Sequence, residues 1–411
     1  METNPCNRVV IVGAGHGGTN AAALLRQHGY TGDVVLAGEE LDLPYQRPPL
    51  SKDYLKAELA PNDLLIKPEQ FYAEQAIDLK LGWTARNIDP ARRRVEFEPG
   101  ESLEYDALIL ATGAEPRRLS VPGADLSNVC ELRTRIDGTR LHASLGPGRR
   151  IVIVGGGYVG LEVAASATHL GAEVVVLERE DRVLARVASP ELAAWLTDHH
   201  RKAGTHIETR ADVASFVDRG DGSVGAVSLA DGREFECDVA LVGVGALPCD
   251  GIAIRAGLAC DGGVVVDTRA ATSEPAIYAI GDITRRPLHH YAGAYRLESI
   301  PNAIEQAKQA VCDILGIQPP KPEVPWFWSD QFDAKVKIAG LMTDVDRTVL
   351  RGSLDSGHFA FYHCSGEKIV AVETVNSGTD FMAGKQFIDR RIAVDPARLG
   401  DTAVSLRELA A

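Results

Sequence analysis

The sequence predicts an α/β fold with two parallel-sheet domains, because one strand, turn and helix pattern occurs twice in its 411 residues. In the first copy an apolar run at 9–12 precedes glycines spaced Gly-x-Gly-x-x-Gly, and a helical stretch follows. The second copy repeats this order from residue 151. Domains average roughly 150 residues, so a chain of this length is too long for one hydrophobic core. We therefore expect two or three domains.

The first copy is typical of a dinucleotide-binding unit. Gly13 would make the turn, Gly15 would let the backbone approach a pyrophosphate, and Gly18 would let the helix pack on the strand. A second apolar strand at 34–37 ends at Gly38 and Glu39, where an acid would take a ribose hydroxyl.

The second copy carries the same signals. Gly155, Gly157 and Gly160 follow its first strand, and a strand at 174–177 delivers Glu178. One such fingerprint is weak evidence, whereas two complete copies indicate two dinucleotide sites. At this position an acid accepts hydrogen bonds from an adenosine 2′-hydroxyl and repels a 2′-phosphate, which favours NADH. The adjacent Arg179 leaves NADPH as the alternative.

A similar segment follows later in the sequence after each copy. The segments LILATGAEP and ALVGVGALP pair Gly113 with Gly245, so the second domain is predicted to be inserted into the first. A further apolar strand at 277–280 ends at Asp282. Ligands of open α/β sheets lie at the carboxyl ends of the strands, which makes Asp282 a candidate ligand residue.

Composition excludes several classes of function. There are 43 basic and 57 acidic residues, a net charge of −14, and this argues against nucleic acid as a partner. The seven cysteines are scattered without zinc-ligand or C-x-x-C spacing, so we expect no metal and no disulfide framework. The first residues lack a signal-peptide core, and the longest apolar run, 239–247, is about half of a bilayer span. These features predict a cytoplasmic protein with no membrane segment.

Two dinucleotide sites without a metal suggest one bound flavin dinucleotide, FAD, and one exchangeable nicotinamide dinucleotide. At this point the chain resembles the FAD-dependent, oxygenase-coupled ferredoxin reductases. The segments that carry the resemblance, besides the two fingerprints, are LPYQRPPLSK at 43–52, ESIPNAIEQAK at 298–308 and PWFWSDQFD at 325–333. The resemblance runs from about Val9 to the end of the chain.

The resemblance implies a glutathione-reductase-like architecture with a C-terminal α+β domain. The FAD domain would take residues 1–113 and 248–322, the NAD domain 114–247, and the C-terminal domain 323–411. The residues that it assigns to FAD are Gly13, Gly15, Gly17, Gly18, Glu39, Arg47, Lys52, Ala85, Thr112, Gly113, Arg133, Asp282 and Ile300. Those that it assigns to NADH are Gly155, Gly157, Tyr158, Val159, Gly160, Glu178 and Gly245.

Three residues are candidates for a part in the reaction. The resemblance places Lys52 beside the flavin, where a cation stabilises the negative charge that develops on reduction, and it makes Glu162 the partner of that lysine. It also places Trp328 near the flavin on the acceptor side. The alternatives are that Lys52 lies on the surface, that Glu162 only complements a helix N-terminus, and that Trp328 only packs.

The electron acceptor follows from a departure within the wider superfamily. Disulfide reductases of this kind place a cysteine pair where this chain has residues 43–52, which contain no cysteine. Electrons would therefore leave the protein, and the resemblance implies a separate [2Fe–2S] ferredoxin that serves a cytochrome P450 or a ring-hydroxylating oxygenase. A basic patch is predicted to dock this acidic partner, unless its members are ordinary surface cations. Its members would be Arg285, Arg286, Arg296 and Lys308.

Two other functions stay open. The first is an NADH oxidase or a rubredoxin reductase of the same fold, and the second is an NADH-sensing flavoprotein that acts as a binding module. We expect a monomer or a weak dimer.

Overall fold

The computed structural model describes residues 6–98 and 100–409, which form two compact units. The first unit comprises the described residues of Met1–Gln46, Leu64–Glu115 and Pro248–Phe327. The second comprises those of Arg47–Asp63, Pro116–Leu247 and Trp328–Ala411. The division into three domains stays a prediction.

The helices are short or of medium length. They are α1 His16–Gln27, α2 Glu69–Glu74, α3 Arg135–Ala143, α4 Tyr158–His169, α5 Pro190–Lys202, α6 Gly251–Arg255, α7 Ile300–Leu315, α8 Gly378–Arg390, α9 Pro396–Leu399 and α10 Leu406–Leu409. Within the described residues, none of them has the length and the apolar character needed to cross a membrane.

The strands of the first 300 residues are β1 Arg8–Val12, β2 Asp33–Gly38, β3 Ile77–Leu81, β4 Thr84–Asp89, β5 Arg94–Glu98, β6 Ser102–Glu104, β7 Ala107–Leu110, β8 Ala114–Pro116, β9 Val129–Cys130, β10 Arg150–Val154, β11 Glu173–Glu178, β12 His206–Thr209, β13 Val213–Asp218, β14 Val224–Leu229, β15 Glu234–Glu236, β16 Val239–Val242, β17 Ala246–Pro248, β18 Val264–Val265, β19 Ile277–Ala279, β20 Thr284–Leu288 and β21 Tyr291–Tyr295. The later strands are β22 Trp326–Gln331, β23 Ala334–Gly340, β24 Arg347–Ser353, β25 His358–Ser365 and β26 Lys368–Val375.

Each unit contains one sheet built around a strand of the repeated pattern. In the first unit the strand order is β19-β7-β1-β2-β3, and β1 is parallel to both of its neighbours. In the second unit the order is β9-β16-β10-β11-β12, and β10 is parallel to both of its neighbours. Since both sheets place corresponding strands in the same order, the predicted α/β class and the internal repetition are confirmed.

Alternation along β1 explains why its apolar run is continuous. Val9 and Ile11 pack in one buried cluster with residues of α1 and α7, such as Leu25. Val10 and Val12 belong to the cluster on the opposite face of the sheet. A parallel sheet that is covered on both faces needs apolar side chains at successive positions.

The C-terminal part of the second unit contains a five-stranded sheet, in the order β22-β23-β26-β25-β24. Helix α8 packs on this sheet at Gly384, where a Cβ atom would lie 2.3 Å from Val372 Cγ1. The helix also buries Phe381 and Phe387. This arrangement matches the α+β character predicted for the C-terminal part of the chain.

Candidate active site

The first glycine turn has the backbone shape that a pyrophosphate needs. Gly13 has a φ of +109°, and a Cβ atom there would lie 2.2 Å from the carbonyl oxygen of Ala111. A Cβ atom on Gly18 would lie 1.9 Å from the carbonyl oxygen of Gly13. Gly15, by contrast, has no described atom within 4 Å of its Cβ position, and it begins α1 without a side-chain cap. The open space and the helix N-terminus without a side-chain cap fit a dinucleotide phosphate.

The second turn reproduces this geometry. Gly155 has a φ of +110°, and its Cβ position lies 2.4 Å from the carbonyl oxygen of Gly243. The Cβ position of Gly160 lies 2.2 Å from the carbonyl oxygen of Gly155. Gly157 again has no described atom within 4 Å of its Cβ position and begins its helix without a side-chain cap. The predicted residues Tyr158 and Val159 are the first two residues of α4.

Several other predicted FAD residues of the first unit, among them Glu39, Thr112 and Asp282, lie where its parallel strands end, and therefore along one edge of the sheet. Glu39 is exposed after β2, and the Thr112 hydroxyl donates to the carbonyl oxygen of Cys249, 3.0 Å away, just after β7. Asp282 follows β19 in a short 3₁₀ turn. The others are Gly113 after β7, Gly17 against the side chain of Ile280, Ala85 in β4 and Ile300 at the start of α7.

In the second unit, Glu178 is held at the glycine turn of the repeated pattern. Its Oε2 accepts a hydrogen bond of 2.8 Å from the backbone N–H of Gly156, and its Oε1 accepts one of 2.9 Å from the backbone N–H of Glu180. The carboxylate is thus fixed beside the turn. Arg179, the cation that left NADPH open, forms an exposed pair with Glu180 at 3.2 Å.

Sequence reasoning missed a cation near the predicted Gly245. The guanidinium of Arg182 donates to the carbonyl oxygens of Ala185 and Ala188 at 3.0 and 3.2 Å, and this orders the loop that follows β11. The same loop carries Arg186, which is exposed and whose Nη2 lies 3.5 Å from the Cβ position of Gly245. The sequence shows arginines soon after Glu178, and this is the signal that could have predicted a cation at this site.

The predicted pair of Lys52 and Glu162 is formed. Lys52 Nζ lies 2.7 Å from Glu162 Oε2, and the two side chains are 13% and 6% exposed. The Ser51 hydroxyl donates to the same Oε2 at 2.6 Å, and the Ser329 hydroxyl donates to Oε1 at 2.6 Å. Lys52 is therefore not a surface residue. Its ammonium has a fixed place because the carboxylate that holds it is itself held.

Two further predicted residues of the second unit meet, since Arg47 Nη1 donates to the carbonyl oxygen of Arg133 at 2.6 Å. Trp328 is half-buried and lies in β22, next to Ser329. Whether Trp328 contacts a flavin stays a prediction, as do the roles of the other predicted residues.

The predicted docking patch needs one correction. Arg286 is buried, and its Nη1 lies 3.0 Å from Glu305 Oε2 and 3.1 Å from Asn302 Oδ1. Its charge is used inside the first unit, so Arg286 does not belong to a docking surface. The three other cations each face a carboxylate. Arg285 pairs with Asp261 at 3.2 Å, Arg296 with Glu298 at 2.5 Å and Lys308 with Glu323 at 3.7 Å.

His200 makes the second unit sensitive to acid. Its ring is fully buried, its Nε2 lies 2.9 Å from Gln331 Oε1, and its Nδ1 has no hydrogen-bond partner among the described residues. Burial lowers the pKa of His200 from 6.5 to about 4. Between these two pH values the unfolded chain binds the proton more readily, so acidification destabilises the fold.

We expect this titration to appear in urea unfolding measured at pH 7 and pH 5. Between the two, wild type should lose about 2 kcal/mol more than His200→Asn, as follows from linkage. The contribution of His200 to stability is present above its unfolded-state pKa of 6.5, and it is lost as the pH falls towards its folded-state pKa of about 4. Equal losses in the two proteins would contradict this role for His200.

Comparison with known proteins agrees with this geometry. The model of the pyridine nucleotide-disulphide oxidoreductase family matches residues 7–307, and the reductase C-terminal model matches residues 326–410. The chain is 45% identical to the probable ferredoxin reductase CtmF of Castellaniella defragrans over 408 residues, 99% of this chain and 100% of the relative. It is 38% identical to putidaredoxin reductase CamA of Pseudomonas putida over 99% of this chain and 98% of the relative.

The solved structures give the same result. The covalent putidaredoxin reductase–putidaredoxin complex matches with a TM-score of 0.96 and 38% identity, covering 99% of this chain and 98% of the matched chain. The ferredoxin reductase for the CYP199A2 system of Rhodopseudomonas palustris matches with a TM-score of 0.95 and 38% identity, covering 98% and 100%. The predicted fold, family and pair of dinucleotide cofactors, FAD and NAD(P)H, are confirmed. The chain therefore belongs to the pyridine nucleotide-disulphide oxidoreductase family, in the group that carries a reductase C-terminal domain.

Proposed function

We propose that this chain is a ferredoxin reductase, which passes electrons from NADH through FAD to a separate [2Fe–2S] ferredoxin that serves an oxygenase. Relatives along almost the whole chain are named ferredoxin, rhodocoxin, putidaredoxin and terpredoxin reductases. FAD, when bound, takes electron pairs from NADH and releases them singly, as an iron–sulfur acceptor requires.

The observation that carries the proposal lies in residues 43–52. This segment holds no cysteine, and it ends in Lys52, whose ammonium is bound to Glu162 at 2.7 Å. A charged group therefore stands where a disulfide reductase would hold its thiols. Burial also raises the pKa values of Cys130 and Cys237 to about 12, so these thiols stay protonated at neutral pH. With no thiol pair in this segment, we infer that the electrons go to an external acceptor.

Each of the residues described above would have a separate role in binding a cofactor or in the reaction. The turns at Gly15 and Gly157 would hold the pyrophosphates of FAD and NADH, and Glu178 would bind the adenosine ribose of NADH. Arg186 would contribute positive charge near Gly245. Lys52, kept in place by Glu162, would stabilise negative charge on the reduced flavin.

The acceptor is tested by mixing the FAD-loaded protein with NADH and a panel of [2Fe–2S] ferredoxins and a rubredoxin. We expect at least one ferredoxin to be reduced faster than the rubredoxin and faster than oxygen. A relative named rubredoxin-NAD(+) reductase, 38% identical over 368 residues, makes the rubredoxin a necessary member of the panel. Fastest reduction of rubredoxin or of oxygen would overturn the proposal, and slow turnover with every acceptor would point to an NADH sensor.

The same assay tests the docking patch, now reduced to Arg285, Arg296 and Lys308. Rates with the ferredoxin should fall as salt screens the patch. A rate that is independent of salt would remove these three residues from the docking surface.

We expect the nucleotide preference to favour NADH over NADPH in kcat/KM by about 100-fold, because placing like charges together costs several kcal/mol. Glu178→Gln keeps an acceptor for Gly156 N–H but removes the charge, so it should lower this ratio. Glu173→Gln is the matched control, because Glu173 is the exposed residue at the opposite end of the same strand, β11. Equal kcat/KM values for the two nucleotides in wild type would contradict the assignment.

The remaining predictions concern organisation. The predicted boundary at residue 323 is supported by the two family matches, because the first ends at 307 and the second begins at 326. The predicted boundaries at residues 113 and 248 stay predictions. The cytoplasmic location and the monomeric or weakly dimeric state stay predictions.

A further inference from the structure

Both oxygens of the Glu162 carboxylate are engaged. Oε2 holds Lys52 at 2.7 Å and Ser51 at 2.6 Å, whereas Oε1 accepts only from the hydroxyl of Ser329 among the contacts described for it, also at 2.6 Å. Glu162 is 5% exposed and Ser329 is fully buried. Water therefore has little access to replace Ser329 if its hydroxyl is removed.

The contact with Ser329 is the last step of a longer chain of hydrogen bonds. Gln331 Nε2 donates to Ser329 Oγ at 3.0 Å, and Gln331 Oε1 lies 2.9 Å from His200 Nε2. Because an amide oxygen only accepts, His200 Nε2 carries the proton in this contact. Every donor then points towards Glu162, and an aligned chain of this kind strengthens the final bond to a carboxylate.

Two residues of this chain of hydrogen bonds, Ser329 and Gln331, belong to one strand, β22. Side chains alternate along β22, so Ser329 and Gln331 share a face, and both are fully buried. Trp328 and Asp330 belong to the opposite, half-buried face. The carboxylate that holds Lys52 therefore also fixes the strand that carries Trp328.

We propose that Ser329 is a positioning residue for flavin reduction by NADH, which acts by fixing Glu162 and through it the ammonium of Lys52. The inference rests on the proposed function, since it gives Lys52 a role at the flavin. It extends that function to the C-terminal part of the chain, whose residues 329 and 331 complete a site otherwise built from residues 51, 52 and 162.

The test is the rate of flavin reduction by NADH in stopped flow, without any ferredoxin. Ser329→Ala should slow this step about tenfold, as expected for the loss of a hydrogen bond to a charged group. Ser329→Thr keeps the hydroxyl and should restore most of the rate. The matched control is Thr374→Val, because Thr374 is buried in the same sheet and its hydroxyl donates to the carbonyl oxygen of Lys337 at 3.0 Å.

Two further readouts separate positioning from general destabilisation. In a Lys52→Met background, Ser329→Ala should change the rate by less than about twofold, because the two residues act through one contact. The midpoint potential of the bound FAD should become more negative in Ser329→Ala and stay unchanged in Thr374→Val, since a misplaced ammonium stabilises the reduced flavin less.

The proposal is overturned if Ser329→Ala reduces its flavin at the wild-type rate, or if it slows the step equally with and without Lys52. It is also overturned if Thr374→Val produces the same changes in rate and potential. A protein whose flavin is reduced normally by NADH but which reduces no ferredoxin would refute the proposed function and leave this test standing.

Discussion

Lys52→Met is expected to slow flavin reduction by NADH by about 100-fold, in the range seen when one preorganised electrostatic group is removed from an active site. Methionine is also unbranched, but its side chain is one atom shorter and carries no charge. The effect should be large because the Lys52 side chain is only 13% exposed and its ammonium is held at 2.7 Å by Glu162. The measurement is the observed rate of flavin bleaching at saturating NADH.

Glu162→Gln should have a smaller effect in the same assay, about tenfold, because the amide still accepts a hydrogen bond but no longer pairs with the charge. Lys56→Met is the matched control. Lys56 lies one turn further along and pairs with the more exposed Asp53 and Glu58, at 3.1 and 2.8 Å. Rates within about twofold of wild type in both the Lys52 and the Glu162 variants, a difference of about 0.4 kcal/mol, would refute a role for the pair.

Gly15→Ala and Gly157→Ala should separate the two dinucleotide sites. Neither Cβ position has a described atom within 4 Å, and both residues have backbone angles that alanine adopts without strain. The fold should therefore survive, while the added methyl group occupies the space left for a pyrophosphate. We expect Gly15→Ala to purify with little FAD, and Gly157→Ala to retain FAD with a KM for NADH raised on the order of tenfold or more.

The measurements are the ratio of flavin absorbance to protein absorbance and the steady-state KM. Gly378→Ala is the control, because its Cβ position is equally open and it lies at the start of α8. Loss of FAD in Gly157→Ala with retention in Gly15→Ala would reverse the assignment of the two turns. Normal FAD content and normal KM in both variants would remove the turns from cofactor binding.

The two turns were predictable from sequence because their signals are local. Apolar runs mark the central strands, glycine spacing marks the turns, and the strand-end acids follow at a nearly fixed distance. The pair of Lys52 and Glu162 required the family resemblance, since the two residues are 110 positions apart and no periodic pattern joins them.

The rest depended on contacts that a sequence does not display. Ser329 reaches Glu162 from 167 positions away. The sequence predicted Arg286 to be a surface cation, because nothing near it along the chain shows that Glu305 and Asn302 of α7 contact it in the interior. A charged residue can be expected to be exposed only when no buried partner of opposite charge is available to it.

The bond between Ser329 and Glu162 limits how this protein can be recombined with its relatives. A chimera that exchanges the segment from residue 326 onwards, to change the acceptor, would also exchange the donor to a carboxylate that is 5% exposed. A transplanted segment without a hydroxyl at this place would leave Glu162 Oε1 without that donor, at a cost of about 1–3 kcal/mol for a buried unsatisfied group. Ser329 and Gln331 therefore have to come from the same parent protein as Glu162, which places the crossover after residue 331.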